Sequence, residues 1–76
     1  MKAYRDTDGD SGIVAYDYGD VWIKVQFKRG QTYEYRASKI GQAHITAMKE
    51  LADAGNGLNS YIKQNPTVNN GWSAKN

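Results

Sequence analysis

Apolar and polar residues alternate over residues 21–27: Ile23, Val25 and Phe27 point one way, Trp22, Lys24 and Gln26 the other. That period of two is the mark of a strand with one face buried. Residues 32–37 repeat it, with Tyr33 and Tyr35 on one face and Thr32, Glu34 and Arg36 on the other. Upstream, Ile13–Tyr18 is rich in β-branched and aromatic residues and reads as a first strand. Gly19-Asp20 supplies a turn, and Lys28-Arg29-Gly30-Gln31 a hairpin loop with Gly30 free to take positive φ. Short loops between consecutive strands imply an antiparallel meander.

After Ser38, a candidate N-cap, the period becomes helical. Ile40, Ala43, His44, Ala47, Met48 and Leu51 fall on one stripe. Gly41 weakens the first turn by up to about 1 kcal/mol relative to alanine. Gly55 ends this helix as a left-handed residue. Leu58–Gln64 reads as a second, shorter helix with Leu58, Tyr61 and Ile62 inward, and Pro66 ends it.

The expected fold is therefore α+β: a three-stranded antiparallel meander packed on one face by a long helix and a short C-terminal helix, in the order βββαα. Residues 1–12 read as a flexible acidic lead, 13–65 as the domain and 66–76 as a flexible polar tail. Trp72 is out of place in such a tail, and folding back onto the domain is preferred to docking on a partner. Ile23, Val25, Phe27, Tyr33 and Tyr35 turn toward the helices, which leaves the opposite sheet face bare. With 76 residues the core must be economical, and dimerisation is a natural remedy.

Composition then narrows the chemistry. The chain has no cysteine, so disulfides and thiolate metal sites are excluded, and a reducing cytoplasm suits it. No apolar run approaches the ~18 residues of a membrane span, and the polar, acidic first twenty residues do not resemble a signal peptide. The net charge of +2 hides an asymmetry. Residues 1–20 set Lys2 and Arg5 against Asp6, Asp8, Asp10, Asp17 and Asp20, a net −3, whereas residues 21–76 set eight Lys or Arg against Glu34, Glu50 and Asp53, a net +5. A basic body of this kind points to an anionic partner or to internal compensation. Six tyrosines and two tryptophans beside one phenylalanine favour half-buried positions and binding faces.

Several of these residues occur in a familiar order. Tyr16-Asp17 precedes the alternating run Ile23-Lys24-Val25-Gln26-Phe27, then Gly30, then Tyr33-Glu34-Tyr35; after the helix come Gly55-Asn56-Gly57-Leu58-Asn59-Ser60-Tyr61-Ile62-Lys63. Over about residues 11–64 this order and spacing resemble the KTSC domain family, found at the C-terminus of some lysyl-tRNA synthetases and alone in small bacterial and phage proteins. Tyr33, Tyr35, Gly55, Asn59 and Lys63 carry the family motifs. Gly57 and Leu58 depart from the pattern, standing where aromatic residues are usual. The resemblance implies the βββαα fold and, through the synthetase context, RNA binding.

Trp22, Lys24, Lys28, Arg29 and Arg36 are the expected nucleic-acid-binding set: the tryptophan stacks on a base and the cations neutralise phosphates. A protein-interaction module is the alternative, for instance a phage or mobile-element protein that blocks a host protein. A third reading places a small anionic or nucleotide ligand beside the Tyr33 and Tyr35 hydroxyls, Asn59 and Lys63. Asp6, Asp8, Asp10 and Asp17 match positions 1, 3, 5 and 12 of a calcium loop, but lack its glycine, its terminal Glu and its flanking helices. His44 stands alone, Ser38 and Ser60 have no general base at readable spacing, and Glu50 and Asp53 read as solvated. No cofactor is expected, and the chain reads as a binding domain instead of an enzyme.

Overall fold

The computed structural model describes all residues except Asp8 and Asp10. Its centre is the expected meander: β2 (Ile13–Tyr18), β3 (Trp22–Phe27) and β4 (Thr32–Arg36), all antiparallel. The sheet, however, has five strands in the order β1-β2-β3-β4-β5. The additions are β1 (Lys2–Ala3), which pairs with β2, and β5 (Ala74–Lys75), which pairs with β4. Both lie in segments whose composition suggests a lead and a tail. Two residues are too few to show alternation, so pattern alone misses such strands. They cover part of the backbone at the two sheet edges, a common way of protecting an edge.

The inner sheet face follows from side-chain alternation. Ile23, Val25 and Tyr35 are buried, and Phe27 and Tyr33 are half-buried beside them. In β2 a register shift between Ile13 and Ala15 puts Ile13, Tyr16 and Tyr18 on this same face. Strict alternation from Ile13 would have sent Tyr16 and Tyr18 to the other side, and the bulge re-aims them.

The predicted single helix is broken. Gly41, at φ 93°, separates α1 (Ala37–Ile40) from α2 (Gln42–Ala54). The break resets the phase: α2 buries Ile45, Met48 and Ala52, while Ala43 is exposed and His44, Ala47 and Leu51 are only half-buried. The expected stripe was thus displaced, and Ile45, fully buried, was left out of it. Nor does Ser38 cap the helix, since α1 starts at Ala37 after Arg36 with no side-chain cap. The third helix, α3 (Leu58–Gln64), lies where predicted, with Leu58 and Ile62 buried. Pro66 does not only end α3; it opens α4 (Pro66–Asn69) from the N1 or N2 position, where its missing N–H costs little. Val68 of α4 is fully buried, so the C-terminal segment adds to the core. No helix is long and apolar enough to cross a membrane.

The N-terminal segment is also bound down. Tyr4 is 5% exposed, and its hydroxyl accepts the Leu58 amide at 3.3 Å. Arg5 donates to the Asp53 carbonyl, and the Thr7 amide donates to the Gly55 carbonyl at 2.8 Å. Gly55, at φ 71°, ends α2 with the expected left-handed geometry.

Candidate functional site

The bare outer face proves to be electrically compensated. Lys24 lies opposite Asp17 on β2 and Glu34 on β4. Its Nζ stands 3.8 Å from Glu34 Oε1, and Arg36 Nε donates to Glu34 Oε2 at 2.5 Å. The Lys24 ammonium also sits 5.5 Å from the centre of the Trp22 ring. Trp22 itself is half-buried and lies so close across Gly19 that a side chain there would collide with the indole. Two of the expected phosphate-binding cations are therefore committed to Glu34, and the expected stacking ring is covered by one of them. Lys28 and Arg29 do not belong to this face at all.

They belong to a groove at the opposite end of the inner face, with a volume of about 550 Å³. Phe27, Tyr33 and Trp72 supply its aromatic wall. The Phe27 and Tyr33 rings meet edge to face at 5.6 Å, and Tyr33 and Trp72 do so at 5.7 Å. Trp72 reaches this place because the C-terminal segment folds back. Lys39 Nζ donates to the Trp72 carbonyl at 3.2 Å, and β5 then pairs with β4. Lys28 and Arg29 from the β3–β4 hairpin and Lys63 from α3 bring positive charge to the groove. Among the described residues no carboxylate lines it, and none of these three cations makes an ion pair. This unbalanced charge is the electrostatic contrast with the outer face.

Four of the five residues that carry the KTSC resemblance line this groove: Tyr33, Tyr35, Asn59 and Lys63. The β4 period turns both tyrosines inward, and the first turn of α3 brings Asn59 to the same groove. Tyr35 is 2% exposed, and burial, followed by the neighbouring Tyr33, pushes its phenol up to about 12. Its hydroxyl is thus protonated at neutral pH and available as a donor. The fifth residue of that resemblance, Gly55, lies elsewhere, packed against the backbone and Cβ of Arg5. Its role is to let the N-terminal segment approach.

A second polar cluster escaped sequence reasoning. Asp53 is exposed, as expected, but it also accepts hydrogen bonds from the Tyr16 and Tyr18 hydroxyls, each at 2.7 Å. These bonds, that from Tyr18 first, hold the Asp53 carboxyl below its ordinary value. Burial and the bond to Asp53 raise Tyr16 to about 12, while Tyr18 is raised chiefly by the bond itself. Lys2 and Lys49 Nζ each lie 5.2 Å from the Tyr18 ring centre. The cluster joins β1, β2 and α2, and its groups satisfy one another. The available signal was two inward tyrosines on β2, but the bulge concealed their direction.

His44 Nδ1 is 2.6 Å from the Tyr61 hydroxyl, a partnered histidine at the α2–α3 contact. Of the proposed calcium loop, Asp8 and Asp10 lie outside the described residues. Asp6 accepts the Ser11 amide at 3.3 Å, and Asp17 accepts the Tyr18 amide at 2.9 Å from within β2. Among the described residues no three His, Asp or Glu side chains are grouped to hold a metal ion. No family model matches the chain, and neither a curated protein nor a solved structure matches it.

Proposed function

We propose that this chain is a KTSC-like, non-catalytic domain that binds single-stranded nucleic acid, RNA first, in the groove between the β3–β4 hairpin, α3 and the C-terminal segment. One observation carries the reading: three cations without ion pairs and an aromatic wall line the same concavity, with no carboxylate among the described residues to oppose a phosphate. A single strand supplies both complements. Its bases pack against Phe27 and Trp72, the Tyr33 ring between them being covered by Lys75 Nζ at 5.4 Å; each stacked base is worth about 1–3 kcal/mol, and the phosphates meet Lys28, Arg29 and Lys63. The gathering of four motif residues in this groove supports the family reading, and the lack of cysteine suits a cytoplasmic setting.

The test is fluorescence anisotropy with a labelled RNA octamer at about 50 and about 200 mM salt. Three neutralised phosphates on a single strand give a log–log slope of about −2, or about 20-fold weaker binding over that range. Lys28→Glu/Arg29→Glu should abolish most binding, while Lys24→Glu/Arg36→Glu on the outer face should change it little. Absence of salt-dependent binding in the wild type contradicts the proposal. If a stoichiometric protein then co-purifies from nuclease-treated lysate, the protein-interaction module takes its place.

A further inference from the structure

Resting on the nucleic-acid reading of the same groove, we infer that its floor selects uracil above adenine and cytosine. The starting observation is Tyr35. Its side chain is almost wholly buried, at 2% exposure, yet no described group hydrogen-bonds its hydroxyl. At the same time no side-chain oxygen or nitrogen is both fully enclosed and unpartnered. The hydroxyl must therefore surface where Tyr35 borders open space, and Tyr35 lines the groove. A hydroxyl that no protein group engages and that opens into a concavity is free to bond a ligand atom seated there.

The neighbouring groups complete a pattern. Tyr33 lies two residues away on the same strand face, about 6.6 Å along the backbone. Its hydroxyl also lacks a hydrogen-bond partner among the described residues, as does the half-buried amide of Asn59. The two phenols offer O–H donors, whereas Asn59 offers a carbonyl acceptor beside an amide donor. Uracil presents carbonyl oxygens on either side of a ring N–H. Its oxygens take the phenol protons and its N–H goes to the Asn59 carbonyl. Adenine and cytosine place an exocyclic amino group where uracil has a carbonyl. A phenol facing that amino group must turn to accept, and the donation that the uracil oxygen takes from it is lost. A site built around donors rejects the mismatched analogue much more strongly than a merely apolar slot does. Lys63 and the hairpin cations contribute equally to every base, because they address the backbone.

Anisotropy with labelled octauridylate, octaadenylate and octacytidylate, on the full chain at low salt, separates the two levels of the proposal. Octauridylate is expected to bind about tenfold more tightly than either of the others, the discrimination typical of one good base-edge pairing. Tyr35→Phe removes a single oxygen and should bring octauridylate close to octaadenylate while leaving octaadenylate where it was. Asn59→Ala, read in parallel with circular dichroism, should do the same and guards against a folding defect in the first variant. Equal binding of all three oligomers overturns the base preference and leaves the nucleic-acid reading intact. So does an equal loss for all three in a natively folded Tyr35→Phe. No binding of any oligomer overturns both.

Discussion

Replacing Gly55 by alanine should destabilise the protein by more than its backbone strain alone. Gly55 sits at φ 71°, where a residue with a Cβ loses about 1–2 kcal/mol. A Cβ there would also stand 2.6 Å from Arg5 Cβ and 3.3 Å from the Arg5 backbone. The backbone of Arg5 cannot swing aside as a flexible side-chain tip can. The N-terminal segment must lift, which breaks the Thr7–Gly55 hydrogen bond and exposes Tyr4, now 5% exposed. Burial of a large side chain is worth about 1.5–3 kcal/mol, so the total reaches roughly 2–4 kcal/mol if part of the segment reattaches. Gly30→Ala is the control, because Gly30 has a similar φ of 90° and open space at its Cβ position. Urea denaturation of both variants isolates the collision as the difference between them. For a domain of this size each kcal/mol moves Tm by about 4–8 °C, so thermal melts resolve the same gap. Equal losses in the two variants would refute the claim that Gly55 is the seat of the N-terminal segment.

Three other outcomes follow from the described contacts. Val68→Ala should cost about 2–3 kcal/mol in chemical denaturation, because α4 buries Val68 completely; a neutral result would mean the C-terminal segment is not part of the core. Asp53 is held below its ordinary value of 3.8 by the tyrosine hydroxyls, so its stabilisation is full above that value and fades as pH falls through the lower folded one. The stability gap between wild type and Asp53→Asn should therefore be constant at neutral pH and narrow in acid, and a gap independent of pH down to full protonation would contradict this. Trp72→Ala should weaken RNA binding by about 1–3 kcal/mol with a smaller effect on folding, since Trp72 is 38% exposed; unchanged affinity would remove it from the binding wall.

What could be read in the sequence was set by the length and regularity of each element. In β3 and β4 the alternation is clean, and Ile23, Val25 and Tyr35 are buried as it requires. Two-residue strands leave no such trace, so β1 and β5 were invisible. One bulge inverted the direction of Tyr16 and Tyr18, and one glycine at position 41 rotated the buried face of α2. Loop residues obey no alternation, which is why Lys28 and Arg29 seemed to share a face with Lys24. The cancellation of Lys24 and Arg36 by Glu34 depended on strand register, as did the Asp17–Lys24 pairing. Tyr33, Tyr35, Asn59 and Lys63 were legible as a set from their order along the chain, and Trp72 from its oddity in a polar segment. Their convergence on one groove required the fold-back of the C-terminus.

The central claim is that nucleic acid enters this groove and leaves the outer sheet face untouched. Amide and side-chain chemical shifts recorded during titration with octauridylate test it residue by residue. Movement concentrated at Tyr33, Asn59, Lys63 and the Trp72 indole, with Lys24, Glu34 and Arg36 still, is the predicted result. Shifts centred on Trp22 and Lys24 instead would contradict it.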